Sequence, residues 1–265
     1  MTEPDKTGIL LTAFGTSVPG ADSVYDNIQQ QVREVYPDIP IYWAYTSQVI
    51  REKLKNQGKP VHSPVQALSL MAENGLEHVA MQSLLIIPGL EHHDLIQISR
   101  AIQGLPKGIK KIVLGNPLLS HSRDLQRFAA AMMDNISPSV HEDEAIILMG
   151  HGSVHPANVY YSALQYHFWL CHPNIFVGAV EGTPSLEEIL PLLQKNKITR
   201  ARLYPLMVVA GEHAINDMAG RQTDSWITVL SNMGIDAKAV MKGLGSFENI
   251  NEIWLDHLRE IMGRL

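Results

Sequence analysis

Cysteine is almost absent, with Cys171 the single one in 265 residues. One thiol can build neither an internal disulfide nor a cysteine-based zinc cluster, so any cation must be taken by histidines and carboxylates. Long hydrophobic runs are missing too: nothing approaches the roughly 18 apolar residues that would read as a membrane span. The opening MTEPDKTG is acidic and leads into the short run ILLTAF, which does not read as a secretory signal. A cytoplasmic protein with no membrane partner is expected. Positive charge is not in excess, since 21 Lys and Arg face 27 Asp and Glu for a net −6. That balance argues against nucleic acid as a partner and requires any cations that hold an anionic ligand to be local. The nucleotide signatures are lacking as well: no G-x-G-x-x-G follows the first apolar run and no G-x-x-x-x-G-K-[ST] occurs. Gly15-Thr16-Ser17 and Gly152-Ser153 fit a phosphate cradle only loosely. Ser153 stands in no G-x-S-x-G elbow, which sets a serine hydrolase aside.

What is present is an ordinary globular composition, 45% hydrophobic and 18% charged, and 12 histidines. Short apolar runs alternate with amphipathic stretches, the pattern of parallel sheets with crossover helices. Strands are predicted at Ile9–Ala13, Ile41–Tyr45, Val79–Ile87 and Lys111–Leu114, then at Ala145–Met149, Ile175–Ala179, Arg200–Val208 and Ala237–Met241. Helices are predicted near Ala21–Val35, Pro64–Asn74, His93–Gln103, Asn158–Leu170, Ser185–Gln194 and Asp217–Met233.

The two sets repeat one another. AFGTSVPG matches GHGSVHPA, YPDIPIYWAY matches HPNIFVGAVE, LLIIPGLEHH matches LMVVAGEHAI and GIKKIVLG matches GIDAKAVM, in the same order. An α/β protein of two Rossmann-like lobes related by internal duplication is expected, with lobes at residues 1–140 and 141–246 and a C-terminal helix at 247–265 packing back on them.

Ligands of open parallel sheets bind outside the carboxyl ends of the strands. There the two copies differ. Phe14 follows the first strand of one and His151 that of the other; Glu91 faces His213 after the third strands; Glu181 falls opposite Tyr45 after the second. Two imidazoles and a carboxylate make a three-point site for a divalent cation with positions left open. His92-His93 reads either as an exposed first helical turn or as a second metal or haem-iron ligand near an intersubunit surface, with His93 the candidate haem or interface ligand. Tyr160 and Tyr161 open an aromatic helix and, with Phe14, are candidates for the wall of a flat ligand's site.

ILLTAFGTS, LLIIPGLEH, ILMGHGS, AVEGTPS and PLMVVAGEHAINDMAG together resemble the anaerobic cobaltochelatases of the CbiK type, within the class II chelatases. The resemblance spans nearly the whole chain. It implies two chelatase-like lobes with an active-site cleft between them, and ATP-independent insertion of Co(II) into sirohydrochlorin, a tetrapyrrole, in anaerobic cobalamin biosynthesis. It implies His151 and His213 as catalytic metal ligands, with Glu181 as the acidic ligand and Glu91 as its substitute or support. Cobalt enters as substrate metal, with no nucleotide; haem is a further candidate ligand, and a homo-oligomer a candidate assembly. Fe(II) or Ni(II) insertion, or metal binding without turnover, are the alternatives. The substrate's carboxylates call for nearby cations, with Arg51, Lys53, Arg100, Arg123 and Arg221 as candidates. Bending of the macrocycle by closure of the lobes is expected to aim its nitrogens at the metal.

Overall fold

The computed structural model describes residues 6–136 and 140–265. The chain divides into two compact units, Met1–Ser120 with Asn251–Leu265, and His121–Ile250.

The first unit is built on β1 (Thr7–Ala13), β2 (Ile41–Tyr45), β3 (His78–Ser83) and β4 (Lys111–Gly115). They form one all-parallel sheet in the order β2-β1-β3-β4. Every residue of β1 is buried, as a central parallel strand covered on both faces requires. The connections are α1 (Ser23–Val35), α2 (Gln48–Asn56), α3 (Pro64–Glu73) and α4 (Leu90–Ile102). Helix α3 starts where the sequence says it should: Ser63 and Gln66 form a reciprocal capping box and Pro64 takes the first turn. Leu10, Leu68, Met71, Met81 and Leu95 centre the core.

The second unit starts with α5 (Ser122–Asn135) and carries β5 (Glu144–Gly152), β6 (Ile175–Glu181), β7 (Arg200–Pro205) and β8 (Asp236–Ala239), ordered β6-β5-β7-β8 and again parallel. Helices α6 (Val159–Cys171), α7 (Leu186–Lys195) and α8 (Trp226–Asn232) connect the strands, and α9 (Glu248–Met262) closes the chain. Ile147, Met149, Phe176, Leu193, Leu203 and Trp226 form the core.

The repeat extends to register. Thr7 pairs with His78 in one sheet and Glu144 with Arg200 in the other. Leu84 N–H donates to Thr12 O, and Leu206 N–H donates to Met149 O, each at 2.7 Å. The second sequence landmark shifts by two residues, however. Ile9 pairs with Ile41 and Ile146 with Ile175, so the counterpart of Tyr45 is Ala179 rather than Glu181. The copies join their first two strands by links of different length, and after the second strand only the first copy inserts a further helix, α2. Its cap is Ser47, which accepts from Ile50 N–H, and it buries Ile50 and Leu54.

Three further differences from the sequence-based expectation have local causes. Helix α5 was not among the expected helices, although Leu125, Phe128, Ala129 and Met132 give it a buried face at helical spacing. It follows β4 in the chain yet belongs to the second unit, where Phe128 meets Phe168 of α6 edge to face at 6.2 Å. The unit boundary therefore falls at Ser120/His121, ahead of the expected one at 140/141. Reciprocally, α9 follows β8 and belongs from Asn251 onward to the first unit, where Trp254 Nε1–H donates to Leu85 O at 3.4 Å. The long helix expected over Asp217–Met233 is instead a π turn at Ala214–Met218 and the short α8. At Gly220 a Cβ would lie 2.1 Å from Asn216 O, so the chain leaves the helical path there. It restarts at Ser225, whose hydroxyl accepts from Thr228 N–H. Among the described residues, no helix is long and apolar enough to cross a membrane.

Candidate metal centre

In the second sheet the chain moves outward from β5 to β6, then crosses back over to β7 on the far side. The carboxyl ends of β5 and β7 therefore flank a topological switch point, where open sheets place their ligands. His151 stands in the last turn of β5, and His213 opens the π turn that follows β7.

The structure brings these two side chains together: their rings meet edge to face with centroids 4.6 Å apart. Both are half-buried, and both are held through the same ring nitrogen. His151 Nδ1 lies 3.1 Å from the Gly152 carbonyl oxygen, and His213 Nδ1 lies 2.7 Å from Asp217 Oδ2. A carbonyl and a carboxylate can only accept, so each neutral imidazole carries its proton on Nδ1 and presents Nε2 as a lone pair. Two imidazole donors from neighbouring strand ends suit a first-row divalent cation.

The turn that carries His151 is built around glycines. Gly152 has φ +87°, and a Cβ there would lie 2.2 Å from Glu181 O. At Gly150 a Cβ would lie 2.4 Å from the Tyr161 ring. Beneath them the buried Tyr161 hydroxyl accepts from Gly152 N–H at 3.4 Å, and burial pushes the phenol up to about 12. Tyr161 thus supports the turn from inside and does not form an open wall; Tyr160 is half-buried and Phe14 is exposed. The first unit repeats the device: Gly15 has φ +98° with the Tyr45 ring against it, and the Gly15 backbone bonds the buried Tyr25 hydroxyl.

Glu181 ends β6, with its backbone paired to Gly152, and is exposed. It is one strand away from the histidine turn. Among the described residues, no group of three or more His, Cys, Asp or Glu is gathered to hold a metal; the histidines converge and Glu181 does not join them in a preformed cage. Glu91 lies half-buried in the first turn of α4. His92 and His93 point to different environments. His92 is 6% exposed, and burial, aided by the neighbouring His93 charge, pushes its imidazole down to about 4; His93 is exposed. Of the cations considered for substrate carboxylates, Arg51 is engaged by the Tyr45 and Thr46 carbonyls at 2.8 and 2.7 Å, while Arg100, Arg123 and Arg221 are exposed.

A cavity of about 510 Å³ lies along β7 and β8 of the same unit, but neither histidine lines it. Arg200, Arg202, Lys238 and Lys242 give it cations, and three of these are already matched: Arg200 by Asp143, Arg202 by Glu144 and Lys238 by Asp236. Its position and its neutralised charge leave the strand-end histidines as the candidate site. Asp217 was not among the residues singled out in the sequence. Its signal was the four-residue spacing from His213 within GEHAIND.

The fold matches that of solved chelatases. SirB from Bacillus subtilis, solved with Fe3+, matches 96% of this chain and 95% of its own with a TM-score of 0.63 at 14% identity. CbiX, described as the terminal enzyme of sirohaem biosynthesis in denitrifying bacteria, matches with a TM-score of 0.57, covering 96% of this chain and 98% of that one, also at 14% identity. These likenesses define the class by fold: the protein has a chelatase fold. Sequence narrows it. A sirohydrochlorin cobaltochelatase, CbiKC, of Nitratidesulfovibrio vulgaris is 37% identical over 98% of this chain and 92% of its own length. The sirohydrochlorin cobaltochelatase of Salmonella typhimurium is 34% identical over 97% of each. The cobalt chelatase (CbiK) family matches residues 7–263, and the chain belongs to that family.

Proposed function

We propose that this protein is a cytoplasmic sirohydrochlorin cobaltochelatase, inserting Co(II) into the tetrapyrrole without ATP. Family membership supports the reaction. The observation that carries the site is the His151–His213 pair, with both Nδ1 atoms committed and both Nε2 atoms left as donors.

The free macrocycle holds two pyrrolic N–H groups. Insertion exchanges two protons for one Co(II), so the site must both deliver a cation and accept protons. Imidazole does both near neutral pH. His151 and His213 bind Co(II) through Nε2, and Glu181 or, failing that, Glu91 supplies a balancing negative charge. As macrocycle nitrogens replace protein nitrogens on the metal, each vacated Nε2 can take a proton that leaves a pyrrole. An open set of nitrogen and oxygen donors does not by itself favour Co(II) over Ni(II); selection between them falls to supply and to the macrocycle.

The test is anaerobic absorbance spectroscopy of the protein with sirohydrochlorin and Co(II), against the uncatalysed rate. Rapid conversion to the metallated spectrum is expected. Metal binding with no acceleration would replace this reading with that of a metal-binding protein, and faster insertion of Fe(II) or Ni(II) would reassign the metal.

A further inference from the structure

The two histidines share an orientation but not a partner. His151 Nδ1 faces a neutral backbone carbonyl at 3.1 Å, whereas His213 Nδ1 faces the Asp217 carboxylate at 2.7 Å. The shorter distance is that of a charge-assisted bond. Asp217 reaches His213 from four residues on, within the π turn that Ala219 N–H closes onto Ala214 O at 3.1 Å. Such turns are uncommon and concentrate at functional sites.

The first unit shows what this position looks like without that task. The paired registers set Gly89 opposite Gly211 and Glu91 opposite His213, which makes Leu95 the counterpart of Asp217. Leu95 is a fully buried core residue in the regular helix α4. The second copy has a half-exposed carboxylate there, on a widened turn, aimed at an imidazole.

We propose that Asp217 is a positioning residue: it holds His213 in the Nδ1–H tautomer, aims Nε2 at the incoming divalent cation, and makes His213 the stronger nitrogen donor of the pair. The proposal rests on the reading of His213 as a metal ligand. Carboxylates placed behind ligating imidazoles raise their basicity, and removing one typically costs about 10–100-fold in metal affinity. Asp217 itself touches neither metal nor macrocycle in this role.

The experiment uses the full chain with Asp217→Ala, Asp217→Asn and Asp217→Glu. Long-range ¹H–¹⁵N spectra of the metal-free protein report the His213 tautomer, and Co(II) absorbance titrations without tetrapyrrole report affinity. Asp217→Ala is expected to shift His213 toward the Nε2–H form and weaken Co(II) binding about 10–100-fold. Asp217→Glu should recover part of both, and KM for Co(II) should rise while KM for sirohydrochlorin stays unchanged. Asp217→Asn keeps the side-chain volume and carries the test if the alanine variant does not fold. A folded variant that keeps the tautomer and binds Co(II) within about twofold of the parent overturns the proposal, even if insertion is normal. A changed tautomer and weakened Co(II) binding in a protein that inserts no metal would uphold Asp217 while removing the chelatase reading.

Discussion

Gly152 and Glu181 face each other across β5 and β6 so closely that a Cβ on the glycine would lie 2.2 Å from the glutamate's carbonyl oxygen. This contact ties the turn bearing His151 to the strand end bearing the candidate carboxylate. Whatever moves one backbone moves the other. Gly152 then serves two ends, since its positive φ lets the chain turn at the end of β5 and its missing Cβ lets β6 come alongside.

Gly152→Ala should therefore cost more than the usual strain of placing alanine at positive φ. The comparison is Gly234→Ala: φ there is +79°, but nothing lies within 4 Å of the point where the methyl group would sit. Gly234→Ala introduces conformational strain of about 1 kcal/mol, and Gly152→Ala should exceed it and reduce Co(II) affinity as well. Urea midpoints of the two variants measure the difference. Equal midpoints would mean that β6 yields without cost and that the close approach is incidental.

Replacing either histidine tests the pair as a unit. His151→Ala and His213→Ala remove half-buried side chains at strand-end turns, so both variants should fold, and each should insert Co(II) at no more than the uncatalysed rate. Because one metal needs both donors, the double variant should be no worse than the more damaged single one. Near-normal turnover in both single variants would remove this site. Glu181→Gln, beside Glu91→Gln, shows which carboxylate matters: the larger loss of Co(II) affinity is expected at Glu181.

Much of this was legible in the sequence because period and punctuation carry it. β2 matches its expected span at Ile41–Tyr45, since both ends are marked by turn residues. The histidine pair was legible because the chain writes one strand-turn phrase twice and changes Phe14 to His151 and Glu91 to His213. What stayed hidden depends on pairing. Only register shows that Tyr45 matches Ala179, and a one-dimensional alignment cannot see that α2 is an insertion. Tyr161 reads as an aromatic near the site, yet its partner is a backbone N–H supplied by Gly152. Asp217 was in plain view at helical spacing from His213, but the expected long helix gave no reason to stop at a π turn.

The Tyr161 hydroxyl offers a finer probe of the same turn. Like any phenol it is neutral at physiological pH, and burial raises its pKa further, to about 12. Tyr161→Phe deletes one long hydrogen bond to Gly152 N–H and leaves the ring against Gly150. A loss of about 0.5–1 kcal/mol is expected, with a modest fall in Co(II) affinity as the turn loosens. Tyr161→Ala empties a core position and should cost several times more, about 3–5 kcal/mol by analogy with other buried aromatics. Thermal melts and Co(II) titrations on both variants separate anchoring from packing. An unchanged phenylalanine variant would assign the role to the ring alone.

Acid sensitivity should concentrate at the start of β5, away from the histidines. Arg200 holds Asp143 through two bonds, at 2.6 and 3.2 Å, and Thr199 adds a third at 2.8 Å. These bonds, Arg200's first, hold the Asp143 carboxyl down to about 2, below its ordinary 3.8. Next to it, burial works to raise Glu144, but the Arg202 pair at 2.8 and 3.0 Å outweighs it and the net shift is downward. A carboxylate whose pKa is lower in the folded state binds fewer protons there than in the unfolded chain. Its contribution is thus complete above the unfolded value and is lost as pH falls through the folded one. Asp143→Asn should accordingly be less stable than the parent at pH 7, with the gap narrowing below about pH 4 and closing near pH 2. Because the Asp143 pair is exposed, added salt should also shrink the gap at pH 7. Urea midpoints at pH 7, 3 and 2 measure this directly. A gap that survives at pH 2 would show that Asp143 acts through packing or through Thr199 rather than through its charge.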